Sequence, residues 1–462
     1  MHIQSLLSTL LIALLTGPAL SGQEALENYL QQALESNIAL QQKELSYEKS
    51  LAALKEAKAM FLPTVAIEAR YSRARGGRAI EFPVGDLLNP VYDNLNLVNE
   101  LGQVASPDYP AIPAYPMIAN ESINFLREEE HETKVRMIWP VFNAAILHNH
   151  RIKQDQLAID RISVEVYKRE LVKEVKVAYY NYGKATEAVT LYQNTLALVQ
   201  ENLRTTQSLY RNHQVTLDEV YAAETQVKEV ERQLTEAERN RELGRAYFNF
   251  LLNRDFEATV ELDPPAGPEF AGTLESARAG AVQSREELRQ LDQYLELADE
   301  KVKLDRGNFL PSLNLVGDYG FQGTSYSFTS NDDFAMGSLV LSWKLFDRPS
   351  KMAVEQSIVQ RTIVEQQRQE AQQQIGLQTT QAFYDLQAAR KQLELADARL
   401  QSAGQAYKLV EKKYRQGQAN LVTFTDARTR LTNAEQQKII DKYDYFIRQA
   451  ELERSMASYP VR

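Results

Sequence analysis

WPVF at residues 139–142 opens the stretch that decides the fold, because residues 139–247 are written a second time further along the chain. Trp139, Phe142, Tyr180, Tyr210, Arg211 and Gln214 recur as Trp343, Phe346, Tyr384, Tyr414, Arg415 and Gln418, each 204 residues later, with no gap between the first pair and the last. An internal repeat decides architecture before local propensity does, since each copy must fold as the same unit. The half before it repeats too. Leu26, Glu27, Ala33, Ser36, Leu40 and Phe61-Leu62-Pro63 return 248 residues on as Leu274, Glu275, Ala281, Ser284, Leu288 and Phe309-Leu310-Pro311. Offsets of 204 and 248 differ by 44 residues, so the extra length sits between Pro63 and Trp139, in the first copy only.

The composition, 44% hydrophobic and 25% charged, is that of a folded protein, and the low count of Gly (19) and Pro (15) predicts long elements. A net charge of −10 argues against a nucleic-acid partner, which needs a basic face. Leu6 to Leu15 is an apolar run followed by Gly17-Pro18 and the small residues Ala19, Ser21 and Gly22. Too short to span a bilayer, it reads as a signal peptide over 1–22. The chain has no cysteine, hence neither a lipid-attachment thiol nor a disulfide. No later window is apolar for about eighteen residues, so any membrane entry must use strands rather than helices.

Repeat 1 is expected over 23–254 and repeat 2 over 274–458, joined by a linker at 255–273. Residues 24–60 are good helix formers without an internal breaker, ended by Pro63. From Thr64 the period changes to two: Val65, Ile67, Ala69 and Tyr71 are apolar, with Glu68, Arg70 and Ser72 between them. The returning strand carries Val135, Met137 and Trp139 on one side and Glu132, Lys134 and Arg136 on the other. Repeat 2 does the same with Leu313, Leu315, Tyr319 and Phe321, then Leu339, Leu341 and Trp343. The hairpins are thus placed at 64–141 and 312–346. Four strands of about ten residues cannot close a barrel in one chain, and open edges are not tolerated in lipid. The first hairpin's tip, 76–130, reads as an ordered but irregular loop, with Pro83 and Pro90 as breakers and Pro107, Pro110, Pro113 and Pro116 on a polyproline II spacing.

After each β-hairpin comes a long helix with two rows at seven-residue spacing. Val175, Tyr182, Val189, Leu196, Leu203 and Tyr210 run beside Ala178, Ala185, Tyr192, Val199 and Thr206. In repeat 2 the rows are Leu386, Leu393, Leu400, Tyr407 and Tyr414 beside Ala382, Ala389, Ala396, Ala403 and Val410. A turn follows in each copy and the helix runs back, making helical hairpins over 144–252 and 349–456. Asp347, ahead of Arg348-Pro349, reads as the cap where strand hands over to helix. Between the repeats, Thr259-Val260-Glu261-Leu262 reads as a short strand in a small belt against the helices.

This order of elements, the Phe-Leu-Pro ending of each leading helix and the Tyr-Arg-x-Gly-x turn at Tyr414 resemble the TolC-type outer-membrane efflux proteins over about 24–458. The resemblance implies a mainly helical protomer with membrane strands. Three chains would pool twelve strands in one outer-membrane barrel on a periplasmic helical tunnel. It implies a passive exit duct serving an inner-membrane pump through a periplasmic adaptor, in efflux or type I secretion. Val65, Ile67, Tyr71, Val135, Met137, Trp139 and their repeat 2 counterparts would face lipid, and Trp139 and Trp343 would sit in the inner aromatic girdle.

For the periplasmic gate, the family places a tyrosine before the second turn and two aspartates after it. Tyr414 matches the tyrosine and Asp426 the second aspartate, while Thr423 stands where the first would be. Asp218 and Glu219 at the first turn are candidate substitutes. Gln214, Val215, Thr216 and Leu217, with Gly417, Gln418, Ala419, Asn420 and Leu421, match the positions that meet the adaptor. His213 stands where Gly417 has a glycine, so a different backbone is expected there. His148 and His150 are two apart on a helix and point nearly opposite ways, which is poor metal geometry. No phosphate loop, nucleophile elbow or His-Glu-x-x-His run is present, so neither cofactor nor catalysis is expected. The alternative is a pore-less periplasmic coiled-coil scaffold, which explains the heptads but not the strands.

Overall fold

A computed structural model describes residues 24–264, 270–416 and 418–460. The expected signal peptide and Gly417 lie outside them. In chain order the elements are α1 (Glu24–Ser36), α2 (Ile38–Ala59), β1 (Thr64–Arg73), β2 (Ala79–Phe82), α3 (Val84–Ala105), β3 (Glu121–Asn124), β4 (Glu129–Phe142), α4 (Ala144–Arg211), α5 (Leu217–Leu251), α6 (Leu274–Ser284), α7 (Glu286–Gly307), β5 (Ser312–Gly323), β6 (Asp333–Ser342), α8 (Arg348–Arg415) and α9 (Leu421–Met456). Among the described residues two compact units result: a helical one from within 24–55, 149–303 and 352–460, and one from 56–148 and 304–351 that holds the strands.

In the helical unit, α1 and α2 bring Leu26, Leu30, Ala33 and Leu40 against Leu171, Val175 and Tyr179 of α4, Phe248 and Leu251 of α5, and Tyr443 and Ile447 of α9. The heptad rows pack as their spacing predicts, Val199 of α4 against Val227 and Val230 of α5, and Val189 and Tyr192 against Ala237. The leading helix is not continuous, however. It breaks at Asn37, whose side chain accepts from Leu40 N–H and donates to the Leu251 carbonyl, at 3.0 and 2.8 Å. The second copy breaks 248 residues on, at Arg285. Asn37 N–H bonds to Ala33 O and Arg285 N–H to Ala281 O, so the backbone is duplicated even where the side chain is not.

Thr259 to Leu262 is not a strand. Its backbone groups go to side chains instead: Tyr29 hydroxyl accepts from Glu261 N–H, Tyr179 hydroxyl from Asp263 N–H, and Arg254 donates to Thr259 O. Val260 and Leu262 pack on the helical core, so the segment lies on the helices without a strand partner.

In the other unit, β1, β4, β5 and β6 form one antiparallel sheet in that order, with β1 and β6 at its edges. The first hairpin's tip is more regular than expected: β2 and β3 pair, and α3 lies between them with Pro90 inside it. Side-chain bonds offset the hydrogen bond that proline removes. Asp86 and Asn120 bond mutually, and Asn89 both donates to and accepts from Ile118.

Candidate functional site

The strand register places the two sets of side chains on opposite faces. On one, Val65 lies across from Met137, Ile67 from Val135, Leu313 from Leu341, Leu315 from Leu339, and Trp139 from Leu315. Ile67 is 77% exposed and Leu339 66%, an apolar face that no described residue covers. The other face is a network of ion pairs. Arg136 donates twice to Asp318, at 2.8 Å each, and reaches Glu68 at 3.2 Å. Lys134 bonds Glu132 at 2.6 Å, and Arg70 lies 3.3 Å from Glu132. Asp318 escapes a sequence reading because Gly317 and Tyr319 flank it without a regular polar pattern; its even position in β5 was the available signal.

Aromatic side chains mark both ends of the apolar face. The Trp139 indole donates to Phe61 O at 3.1 Å and the Trp343 indole to Phe309 O at 2.9 Å, the same bond in both repeats. It ties the strand's end to the Phe-Leu-Pro motif, joining two repeated signals. At the far end Tyr319, Phe321, Tyr326 and Phe328 form a chain of ring contacts 5.3 to 6.2 Å apart, and Tyr326 reaches Tyr71 at 6.5 Å. This second cluster was hidden because Tyr326 and Phe328 lie in the turn, outside the alternating pattern. It covers His131, which is 1% exposed and 4.7 Å from the Tyr326 ring. From the level of Trp343 to that of Phe321 is about ten residues, or ~25 Å of tilted strand, the height of an outer-membrane apolar band.

In the helical unit, the two hairpin turns close alike. Gln214 N–H bonds to Leu209 O at 2.9 Å and Gln418 N–H to Lys413 O at 2.8 Å. Contrary to the expectation at His213, the closure is kept: His213 adopts the left-handed conformation, φ 56°, that a glycine takes at no steric cost. Asn420 caps α9, its side chain accepting from both the N–H and the hydroxyl of Thr423, at 2.9 and 2.8 Å. Thr423 is therefore engaged in the cap. Asp218 and Glu219 fall in the first turn of α5, where the helix dipole favours carboxylates.

Tyr414 stacks on Phe424 at 4.7 Å, Phe424 lies 5.8 Å from Tyr407, and the Arg428 guanidinium sits over the Tyr407 ring at 5.5 Å. Buried Arg428 also donates to Thr195 of α4 and lies 3.8 Å from Glu435. This cluster walls a cavity of about 140 Å³ between the two helical hairpins. Burial pushes the Tyr414 hydroxyl up, with the Glu219 carboxylate acting in the same direction, and burial also raises Glu435 against the opposing pull of Arg428. Asp426 is exposed and pairs with Arg430 at 2.9 Å on its own helix. The turns are unequal in one respect: Leu217 is 43% exposed, whereas Leu421 is 4% exposed and fills the hairpin's own core, a correction to its expected place on a contact surface. Sequence reading missed Phe424, Tyr407 and Arg428 as one cluster, because the residues that join them come from three helices. Among the described residues no three His, Cys, Asp or Glu come together as a metal site, and no helix is long and apolar enough to cross a membrane.

Residues 279–458 match the model of the outer membrane efflux protein family. This segment is similar to that family. No curated protein sequence matches the chain. Among solved structures, the fold is similar to the CmeC outer membrane channel of Campylobacter jejuni, with 16% identity and a TM-score of 0.76 over 94% of this chain and 85% of that one. It is also similar to the outer membrane protein VceC of Vibrio cholerae, with 13% identity and a TM-score of 0.73 over 94% and 97%. For the MtrE outer membrane channel of Neisseria gonorrhoeae, in its open state, the values are 17% and 0.72 over 94% and 88%. The fold is thus that of TolC-type outer-membrane channels across both repeats.

Proposed function

We propose that the protein is an outer-membrane exit duct: a homotrimer that carries solutes passively across the outer membrane and periplasm, for efflux or type I secretion. One observation carries the reading. The sheet has two free edges, an exposed apolar face and an ion-paired polar face, so in lipid it is complete only when other copies supply the missing neighbours. Three copies pair β1 of one chain with β6 of the next and give twelve strands. The apolar stripes then meet lipid between the two aromatic girdles, and the network around Asp318 lines water. A pore-less scaffold has no use for such a sheet and is not favoured.

The gate is assigned to the second helical turn. Three copies of Asp426 would ring the pore's periplasmic end, and opening would separate the hairpins joined through Arg428, Tyr407, Phe424 and Tyr414. The surface left for an adaptor is Gln214, Val215, Thr216 and Leu217 of the first turn with Gln418, Ala419 and Asn420 of the second; the pump then acts through that adaptor. The reading is tested by reconstituting the purified protein in planar bilayers and measuring its native mass. A trimer with stepwise conductance is expected; a monomer that leaves bilayers impermeable overturns it.

A further inference from the structure

The first hairpin's tip carries a sequence pattern of its own. Helix α3 is three sevens in succession, VGDLLNP (84–90), VYDNLNL (91–97) and VNELGQV (98–104). One face of it is occupied by the chain itself. Asn89 bonds the backbone of Ile118 on both sides, at 2.9 and 2.8 Å, and Asn96 does the same to Tyr115, at 3.0 and 2.8 Å. Seven residues of α-helix advance about 10.5 Å and three of polyproline II about 9.3 Å, so a seven-residue row of asparagines can read a three-residue row of backbone. Gly85 and Gly102 let that segment approach: a Cβ would stand 2.3 Å from Ile118 O at the first and 2.6 Å from the Tyr109 ring at the second.

The opposite face has no partner among the described residues. Leu87, Val91, Val98 and Leu101 are 50 to 70% exposed, and Val84, Leu87, Val91, Asn94, Val98 and Leu101 follow the alternating three-and-four spacing of a coiled-coil seam. Two features choose the occupant. Helix α3 carries three carboxylates, Asp86, Asp93 and Glu100, and no Lys or Arg, whereas helices that lie on anionic lipid carry basic residues on their polar face. The period is seven, which suits another helix, and Asn94 in mid-seam is the kind of residue that sets register and number in such bundles. The tip also grows from β1, an edge strand that must pair with another copy for the barrel to close.

We propose that α3 docks on α3 of other copies of this chain, the three helices of a trimer packing along the Val91, Val98 and Leu101 face to cap the channel's outer mouth. The proposal rests on the trimer argued above. Because the chain has no cysteine, Val98→Cys introduces a single thiol, and Asp93→Cys on the acidic row is its control. The full-length protein in detergent is treated with a bis-maleimide short enough to bridge helices about 8–10 Å apart, and native mass is read on the same samples. Expected is at least ~10-fold more covalent dimer from Val98→Cys than from Asp93→Cys, at a yield independent of protein concentration, as effective concentration within one assembly requires. Equal yields in an intact trimer overturn this proposal alone, and so does a yield that rises with concentration, which would place the contact between assemblies. Loss of the trimer in the unmodified protein overturns the functional reading as well. A second variant, Val98→Asp, is expected to keep the trimer's mass and raise its single-channel conductance; unchanged conductance overturns the cap.

Discussion

The two helical turns close alike and differ in what they hold. Both close with the same hydrogen bond, yet where the second hairpin has Tyr407, Phe424 and buried Arg428, the first has Leu203, Val220 and exposed Glu224 at the corresponding positions. Tyr210 is 40% exposed, while its counterpart Tyr414 is stacked and half-buried. Duplication has kept what the backbone needs to turn round and freed the side chains to specialise. A tight aromatic and cationic cluster at the second turn raises the free energy of separating that turn from its neighbour, the property on which the gate proposed above would rely.

The comparison breaks most visibly at Arg428. Its removal opens the cluster and leaves half-buried Glu435 without its cation, so Arg428→Ala is expected to cost about 2–3 kcal/mol, at the upper end of single substitutions. Glu224→Ala at the matching position is expected to cost under about 0.5 kcal/mol. Urea titration of the two variants, followed by far-ultraviolet dichroism, checks this; equal midpoints would show that the two turns are equivalent after all.

The break in the leading helices offers the next test. Asn37→Ala removes the cap of α2 and the bond to Leu251 O, with an expected loss of about 1–2 kcal/mol. The readout is faster amide exchange at Leu40 than in the unaltered chain. At the level of α4 the copies differ in charge: Asp155 stands where repeat 2 has Val359. Burial, and then Glu296 and Glu300, raise its carboxyl to about 6. With a folded-state value above the unfolded one, protonation stabilises the fold. That stability is complete below about pH 4 and is lost as pH rises through about 6. Asp155→Asn is therefore expected to stabilise the protein by about 1 kcal/mol at pH 7.5, after screening at a part-exposed site, and by nothing measurable at pH 4. Melting temperatures at the two pH values decide it. The smallest effect belongs to the turn itself. His213→Gly relieves a left-handed conformation and is expected to add about 0.5 kcal/mol without changing the closure; a loss would mean that the His213 side chain supports the turn.

Most of the architecture was legible beforehand because duplication and period are properties of a string. Offsets of 204 and 248 residues locate α8 against α4 and α6 against α1. Alternation at Val65, Ile67 and Tyr71 marks a strand wherever it is later placed. The tip was not legible as helix, since Pro90 reads as a breaker until Asn89 and Asp86 are seen bonded to residues about thirty positions away. Nor was Thr259 to Leu262 legible as a segment without strand partners, because the Tyr29 hydroxyl accepts from Glu261 and the Tyr179 hydroxyl from Asp263 just after it.

By itself, then, the order of residues determined that this chain is two copies of one plan, with strands too few to close a barrel and long paired helices. Those conclusions depend only on spacing, which is set by the fixed rise of helix and strand. Tertiary structure alone decided which residues meet: Trp139 with Phe61, Arg136 with Asp318, Arg428 with Thr195. Such pairings join distant parts of the chain, and no local period encodes them; they arise when packing of the apolar rows brings distant polar groups within hydrogen-bonding reach.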